Sequence, residues 1–136
     1  MEIVYIDHEQ QALDSISALF SGMPAVFKLT AFTRFDDSQQ YLRSHHVDLV
    51  IMDADHDEPN WMIALRRIRA IRRTTRVVLL SQSGDSAVKA YEAGVWDYLL
   101  KPIKPQQLQR ILAKSANPSS DGEASQITDV MQGGSK

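Results

Sequence analysis

Four points along the chain carry side chains that could act on a charged group. Asp7 and His8 follow one short apolar run, Asp53 ends a second, Ser81 ends a third, and Lys101 follows a fourth. Clustered carboxylates repel one another and are hard to keep ionised without a cation, and oxygen-rich sites with few protein ligands suit Mg²⁺. A lysine and a hydroxyl can neutralise phosphoryl oxygens. If the fold brings these points together, the chemistry they fit is phosphoryl transfer.

The elements that must position these residues are predicted from alternating apolar and amphipathic stretches. Short apolar runs, typical of strands buried on both faces of a parallel sheet, cover residues 3–6, 27–32, 49–52, 77–80 and 98–100. Apolar residues at helical spacing lie at 12–20, 65–71 and 108–112, and less regularly at 37–43. This alternation predicts right-handed βαβ units, and hence an α/β fold with a five-stranded doubly wound parallel sheet.

In such a sheet the ligand site lies beyond the carboxyl ends of the strands. The predicted strand ends bring Asp7, Asp53, Ser81 and Lys101 to one rim, and Asp55 adds a carboxylate two residues after Asp53. The chain has no Gly-rich phosphate loop, so nucleotide hydrolysis is not supported. We also find no pairing of a nucleophile with a base, so an enzyme on this fold is the least favoured alternative.

Composition narrows the class of protein. The 136 residues, 43% of them hydrophobic, suffice for one domain, and the net charge of -2 gives no electrostatic case for nucleic acid or membrane. The absence of cysteine excludes disulfides and thiolate zinc sites. We expect neither a signal peptide nor a membrane span, and therefore a cytoplasmic protein. Residues 117–136 are poor in large apolar side chains and are expected to form a flexible tail or linker after a domain covering 1–116.

Four motifs in order carry a family resemblance. They are IDHE around residue 7, VDLVIMD ending at Asp53, LLS ending at Ser81 and DYLLKP around Lys101. Over residues 1–116, the four motifs together resemble the receiver domains of response regulators, of the chemotaxis-regulator-like kind. The stretch SGDSAVKAYEAGVWDYLLKPIKPQQL is similar to receivers of the LytR/AlgR type. The resemblance implies a flavodoxin-like (βα)5 fold with strand order 2-1-3-4-5.

The resemblance also implies roles for individual residues. Asp53 matches the phosphoacceptor, and Asp7 matches an acid that holds Mg²⁺ together with Asp53. The backbone carbonyl of Asp55 matches a further metal ligand. Ser81 matches the switch hydroxyl that turns toward the acyl phosphate, and Lys101 matches the lysine that pairs with it.

Two further positions follow the family pattern near the fifth strand. Tyr98 matches the aromatic switch residue that rotates inward when the hydroxyl moves, although simple core packing is the alternative. Pro102 matches a proline that often follows a cis peptide bond. We expect Trp96 to be an exposed contact on the face made by helix 4, strand 5 and helix 5, where receivers dimerise or hold effectors.

Two departures from the pattern bear on the metal. His8 stands where the family has a second acid, and an imidazole is a poorer partner for Mg²⁺ than a carboxylate. For His8 there are three interpretations: it weakens metal binding, it acts as a pH-sensitive modulator, or it is a surface residue. A zinc site formed with His56 and the aspartates is less favoured, because no helical histidine spacing supports it. After strand three, Asp57 stands in place of a proline and Asn60-Trp61 in place of an Asp-Gly pair.

The resulting prediction is a receiver domain that accepts a phosphoryl group on Asp53. A histidine kinase or phosphotransfer protein is the donor, and the helix 4–strand 5–helix 5 face controls an output partner, an effector domain or a second copy. The domain itself is a phosphoacceptor, at most catalysing its own phosphorylation and dephosphorylation. The alternative, supported by His8 and the altered loop, is a phosphorylation-independent pseudo-receiver that acts as a protein-interaction module.

The third predicted helix carries a basic run, from Arg66 to Arg76, with no acid inside it. Its apolar residues face one way and most of the arginines lie elsewhere, so a solvated helix face is the favoured interpretation. Docking of an acidic partner is the alternative. Direct contact with nucleic acid is less favoured, because aromatic or glycine residues are not interleaved with the arginines.

Overall fold

Five strands and five helices alternate along the chain in a computed structural model that describes residues 1–24, 28–56 and 59–116. The strands are β1 Glu2–Ile6, β2 Lys28–Phe32, β3 Leu49–Asp53, β4 Arg76–Ser81 and β5 Asp97–Leu100. The helices are α1 Gln10–Ser21, α2 Phe35–Ser44, α3 Trp61–Ile71, α4 Ala87–Glu92 and α5 Pro105–Ala116. Of the predicted 27–32 strand, residue 27 lies outside the described residues, as do residues 117–136.

All strand pairs are parallel, and the order across the sheet is β2-β1-β3-β4-β5. The predicted doubly wound sheet and its strand order are therefore confirmed. Each strand pairing joins chain segments separated by a helix, which is the connection that a parallel sheet requires. Because the strands run in one direction, their carboxyl ends share one edge. The candidate site residues that end or follow a strand at this edge are Asp7, His8, Asp53, Asp55, Ser81 and Lys101, whereas Tyr98 lies within β5.

The helix ends follow local signals. Gly22 caps α1, its N–H donating to the carbonyls of Leu19 and Phe20 at the helix end. The side chain of Asn60 caps α3 by accepting a hydrogen bond from the N–H of Ile63 at 3.1 Å. Pro105 is the first residue of α5, where its missing N–H costs no intrahelical hydrogen bond. Gly22 and Pro105 are thus boundary signals that the sequence itself carries.

Two apolar clusters hold the sheet between helices. Alternating strand residues point to opposite faces, so Leu79 packs with α2, α3 and α4, whereas Leu80 packs with α1 and α5. All residues of β3 are buried, which explains why its sequence is continuously apolar up to Asp53. The sheet is therefore a rigid platform, and the loops at its carboxyl edge carry the chemistry.

Trp96 does not occupy the exposed position predicted for it. Only 9% of its surface is exposed, and it packs in the cluster beneath α1 and α5. The guanidinium of Arg76 lies 4.1 Å from the centre of the indole ring and donates a 3.1 Å hydrogen bond to the carbonyl of Ser115. The prediction was wrong because Trp96 immediately precedes β5, where the ring packs into the apolar cluster and Arg76 lies over it.

The basic run divides between solvent and structure. Arg66 and Arg73 are exposed, as the favoured interpretation predicts. Arg69 instead reaches the adjoining loop, where its Nη1 donates a 2.5 Å hydrogen bond to the carbonyl of Ala93, and Arg76 covers Trp96. The run is thus a solvated helix face only in part.

None of the helices in the described residues is long and apolar enough to span a membrane.

Candidate functional site

Two buried carboxylates lie side by side at the carboxyl edge of the sheet. Ile6 pairs with Met52 across β1 and β3, so Asp7 and Asp53, the next residues, are neighbours. Backbone N–H groups from the following loops orient both side chains: Glu9 donates to Asp7 Oδ1 at 3.0 Å, and Asp55 donates to Asp53 Oδ1 at 3.0 Å. The exposed fraction of either carboxylate side chain is 2% or less. Two anions at such depth need compensating positive charge.

Lys101 supplies part of that charge. Its Nζ lies 2.9 Å from Asp53 Oδ1 and 3.2 Å from Asp7 Oδ2, and its side chain is 16% exposed. Burial alone would lower the pKa of Lys101, but its contacts with Asp53 and Asp7 outweigh burial and hold the pKa above its ordinary value. The amine is therefore a cation at neutral pH. The Lys101–Pro102 peptide bond is cis, as the family resemblance suggested.

Tyr5 was not recognised as a site residue from the sequence. Its hydroxyl donates a 3.0 Å hydrogen bond to Asp7 Oδ2, and burial together with the charge of Asp7 raises the pKa of the phenol above its ordinary value. The phenol therefore stays a donor. Period-two alternation places Tyr5 and Asp7 on the same side of the chain, and this was the signal that could have identified it. In the sequence, Tyr5 stands within the apolar run 3–6, which hides it among residues expected to be core.

His8 approaches the same carboxylates from the solvent side. Its Nδ1 lies 2.7 Å from Asp53 Oδ2 and 3.7 Å from Asp7 Oδ1, and its side chain is 38% exposed. The ring of His56 stacks on it, with 4.5 Å between ring centres and 15° between ring planes. His8 thus faces the carboxylates directly, and the interpretation of His8 as an uninvolved surface residue is wrong.

Asp7, His8 and Asp53 form the one group of potential metal ligands found within the described residues. One ligand atom from each lies within 4.8 Å of the others. Asp53 Oδ2 is buried, and apart from its 2.7 Å contact with His8 Nδ1 it accepts no hydrogen bond from the described residues. The two carboxylates fit a divalent cation, but the third donor is an imidazole nitrogen, which Mg²⁺ accepts less readily than oxygen.

Asp55 does not contribute its charge to this group. Its carboxylate accepts hydrogen bonds from the hydroxyl of Ser81, at 2.6 Å to Oδ1, and from the N–H of Gln82, at 2.9 Å to Oδ2. The side chain of Asp55 is therefore directed away from Asp7 and Asp53, because β4 ends beside the loop and offers two hydrogen-bond donors. Its backbone carbonyl as a metal ligand stays a prediction.

The predicted switch residues form a connected chain at the end of β4. The N–H of Ser83 donates to Ser81 Oγ at 3.1 Å, and the hydroxyl of Tyr98 donates to the carbonyl of Ser83 at 2.8 Å. Tyr98 is turned inward and buried in the cluster beneath α3 and α4. Ser81 Oγ, held by Asp55, and inward Tyr98 are therefore linked through the backbone of Ser83.

A small pocket opens on this edge of the sheet. Asp7, His8, Asp53 and His56 line it together with Trp61, the first residue of α3. The pocket places the carboxylates within reach of a small anion or a cation. The arrangement can bind a cation through carboxylate oxygens and can hold a phosphoryl group between that cation and the Lys101 amine.

Known proteins resemble the chain over most of its length. A family model described as response regulator receiver domain matches residues 3–113. The sensory transduction protein LytR of Streptococcus agalactiae is 26% identical over 133 residues, covering 96% of this chain and 54% of that protein. A cyclic di-GMP phosphodiesterase response regulator of Xanthomonas campestris is 26% identical over 113 residues, covering 80% of this chain and 30% of that protein. The chain spans about half or less of the length of these relatives.

Solved structures agree on the fold. A response regulator receiver domain protein from Clostridium thermocellum superposes with a TM-score of 0.76 at 25% identity, covering 86% of this chain and 94% of that one. The receiver domain of a sensor histidine kinase from Pseudomonas aeruginosa gives a TM-score of 0.72 at 24% identity, covering 83% of this chain and 94% of that one. That structure contains a magnesium ion coordinated in its active site cleft.

Proposed function

The chain belongs to the response regulator receiver domain family of two-component systems, and from this premise we propose that Asp53 accepts the phosphoryl group. The observation that carries the proposal is the position of Lys101 Nζ, within 3.2 Å of an oxygen of both Asp7 and Asp53. An amine in this position can neutralise the negative charge of a phosphoryl group attached to either carboxylate. Other charged groups of the described chain do not offer this combination of burial, paired acids and a cation.

The proposed reaction is a transfer between two phosphoryl acceptors. An oxygen of Asp53 forms a bond to phosphorus as the bond from phosphorus to the imidazole nitrogen of a kinase phosphohistidine breaks. The leaving nitrogen keeps the electron pair and takes up a proton from solvent, so the products are an acyl phosphate and a neutral histidine. Lys101 compensates the charge of the phosphoryl oxygens. A divalent cation, held by Asp7 and Asp53 and with the Asp55 carbonyl as a further proposed ligand, would neutralise the same oxygens. Water later breaks the acyl phosphate.

The switch follows from the bonds around Ser81. A phosphoryl group on Asp53 offers Ser81 Oγ–H an acceptor that competes with Asp55. Ser81 connects through the backbone of Ser83 to Tyr98, so a change at the hydroxyl reaches the face made by α4, β5 and α5. We propose that this shifts the population of that face toward an output-competent form.

The proposed partners follow from the family. Receiver domains interact with histidine kinases and with output domains, and we propose that this chain does so in the cytoplasm, where a kinase would supply the phosphoryl group. Residues 117–136 are proposed as the tail or linker leading to an output domain, and a homodimer through the α4–β5–α5 face is a proposal of the same rank. We also propose that the domain catalyses its own phosphorylation from small phosphoryl donors.

The test is phosphoryl transfer from acetyl phosphate, followed by mass spectrometry and by beryllofluoride titration with Mg²⁺ present. The parent is expected to gain one phosphoryl group and Asp53→Asn none, and Asp7→Asn is expected to lose the dependence on added Mg²⁺ together with most of the rate. Asp48→Asn is the matched control, since Asp48 lies at the opposite end of β3. An Asp53→Asn variant that responds as fully as the parent would refute the proposal.

A second candidate function is supported by two contacts. The carboxylate of Asp55 already holds Ser81 Oγ at 2.6 Å, and His8 already lies against Asp53 Oδ2. A pseudo-receiver that keeps Tyr98 inward without phosphate would use these contacts. Absence of any response of Trp61 fluorescence to several millimolar Mg²⁺, with unchanged partner binding in Asp53→Asn, would favour it.

A further inference from the structure

We infer that this site is selective for a first-row transition ion with imidazole ligation, His8 Nδ1 completing a ligand set with Asp7 and Asp53. The inference rests on the metal role proposed for the two aspartates but does not require phosphoryl transfer. It departs from the magnesium ion seen in the Pseudomonas aeruginosa receiver, because this chain has an imidazole facing the acids.

The geometry leaves one side of the acid pair to Lys101 and the other to His8. Lys101 Nζ contacts Asp53 Oδ1 and Asp7 Oδ2, whereas His8 Nδ1 faces Asp53 Oδ2 and Asp7 Oδ1. The lysine therefore does not occupy the oxygens that face the histidine. A cation placed between Asp53 Oδ2 and His8 Nδ1 would also bind a buried carboxylate oxygen that, apart from its contact with the His8 ring, accepts no hydrogen bond from the described residues.

The distances suit bonds to a small ion after slight adjustment. Ligand atoms at roughly 2.0–2.2 Å from a metal lie about 3–3.5 Å apart in tetrahedral or octahedral geometry. His8 Nδ1 lies 2.7 Å from Asp53 Oδ2 and 3.7 Å from Asp7 Oδ1, so these two separations need to change by less than about 1 Å, and all three ligand atoms already lie within 4.8 Å of one another. The half-exposed His8 side chain can make this movement, because it is the outermost of the three ligands.

The chemistry of the donors sets the preference. Imidazole nitrogen suits Zn²⁺, Ni²⁺ and their first-row neighbours, whereas Mg²⁺ prefers oxygen and keeps much of its water. Exchanging the usual second acid for a neutral imidazole removes one negative charge, which weakens attraction for every divalent cation. The nitrogen bond restores affinity only to ions that accept nitrogen. Selectivity therefore changes in favour of transition ions.

His56 is a positioning residue in this arrangement. Its ring stacks on the His8 ring at 4.5 Å and nearly parallel, which restricts how the His8 ring can turn about the side-chain bonds. Metal-binding histidines depend on outer-shell neighbours, usually hydrogen-bond partners, to fix ring orientation, and in this site the stacked His56 ring takes that part. A phenyl ring offers the same stacking surface without a nitrogen, so a phenylalanine at 56 should preserve the effect.

The experiment titrates the full chain with CoCl₂ and with MgCl₂, following visible d–d absorption for Co²⁺ and Trp61 fluorescence for both ions. We expect the ratio of the Mg²⁺ to the Co²⁺ dissociation constant to fall by about tenfold or more in His8→Asp, since even outer-shell changes alter metal affinity about 10- to 100-fold. Paramagnetically shifted imidazole proton signals in NMR are expected in the parent and should be lost in His8→Asp and His8→Ala. His46→Ala, which removes an exposed histidine beside Asp48, should change neither readout.

The titrations distinguish metal ligation by His8 from positioning by His56 and from phosphorylation of Asp53. An unchanged ratio in His8→Asp, or imidazole signals that persist in both His8 variants, would overturn ligation by His8. His56→Phe should keep the parent ratio of the Mg²⁺ to the Co²⁺ dissociation constant, whereas His56→Ala should weaken Co²⁺ binding. If this ratio fell as far in His56→Phe as in His8→Asp, His56 would be a ligand and not a positioning residue. Because these titrations contain no phosphoryl donor, failure of Asp53 phosphorylation leaves them interpretable, and the reverse also holds.

Discussion

At the scale of single residues, a lysine amine and a histidine ring contact different oxygens of the Asp53 carboxylate. Lys101 contacts Oδ1, and His8 contacts Oδ2. A buried carboxylate that loses a buried charged partner is destabilised by roughly 3–5 kcal/mol, so the Lys101 contact matters to folding as well as to chemistry. The site is held together by the same charges that a phosphoryl group and a metal would use.

Asp55 competes with the phosphoryl group for Ser81. In Asp55→Ala the Ser81 hydroxyl loses a charge-assisted bond of 2.6 Å, and it becomes available to an anion on Asp53. Because hydrogen bonds to charged groups contribute about 1.5–3 kcal/mol, we expect beryllofluoride to bind about tenfold more tightly, or better, at saturating metal.

The measurement is a beryllofluoride titration followed by Trp61 fluorescence. Asp85→Ala is the matched control, since Asp85 is an exposed acid in the β4–α4 loop whose side chain makes no hydrogen bond within the described residues. Equal affinities for parent, Asp55→Ala and Asp85→Ala would show that Asp55 does not restrain Ser81.

At the scale of elements, β5 is tied to both neighbouring helices by a buried acid. Asp97 Oδ1 accepts hydrogen bonds from the Tyr91 hydroxyl of α4 and from the Tyr98 N–H, both at 2.8 Å, and Oδ2 lies 3.8 Å from Arg110 of α5. Burial raises the pKa of Asp97 above its ordinary value, against the opposing effects of Tyr91, Tyr98, Arg110 and Lys114. The ionised form is thus held at a net cost in the folded state.

That cost predicts a pH dependence. The folded protein binds a proton at Asp97 more tightly than the unfolded chain does, so the stability associated with this proton is fully present below pH 3.8, the ordinary value, and is lost as pH rises through the folded pKa. Asp97→Asn should therefore be more stable than the parent at pH 7.5, with the difference shrinking toward pH 4. Urea unfolding at both values measures it, and a constant or inverted difference would contradict the sign.

Arg76 ties the start of β4 to the end of α5. It lies over the Trp96 ring and donates to the Ser115 carbonyl, contacts that contribute about 0.5–2 kcal/mol and about 1 kcal/mol respectively. Arg76→Ala should lower the free energy of unfolding by about 1–3 kcal/mol in urea. Arg73→Ala, an exposed arginine of the same run, should change it by no more than about 0.5 kcal/mol. Equal losses would contradict the structural role of Arg76.

At the scale of the whole molecule, stability comes from two separate cores on opposite faces of one sheet. Leu79 and Leu80 are adjacent, almost fully buried, and belong to different cores. Leu79→Ala and Leu80→Ala should each lower the free energy of unfolding by about 2–5 kcal/mol. Leu100→Ala, at the exposed end of β5, serves as the control, and tolerance of either core change in urea unfolding would contradict the two-layer packing.

The predictable part of this protein follows from local patterns and from one topological rule. Continuous apolar runs of three or four residues, as in β1, β3, β4 and β5, are typical of strands buried on both faces, and parallel strands place their following residues on one edge. These two facts place Asp7, Asp53 and Lys101 at the same edge from the sequence alone. The prediction for Trp96 failed because exposure next to a strand depends on distant partners such as Arg76.

What the amino-acid order alone determined is the parallel sheet, its helices and the set of chemical groups at its carboxyl edge. Only the tertiary structure decided how those groups pair: Asp55 turns to Ser81, Tyr5 reaches Asp7, and His8 stacks on His56 while facing Asp53. Periodicity reports which face of an element is buried, whereas side-chain pairing depends on rotamers and on distances between loops far apart in the chain. Such distances leave no periodic trace in the sequence.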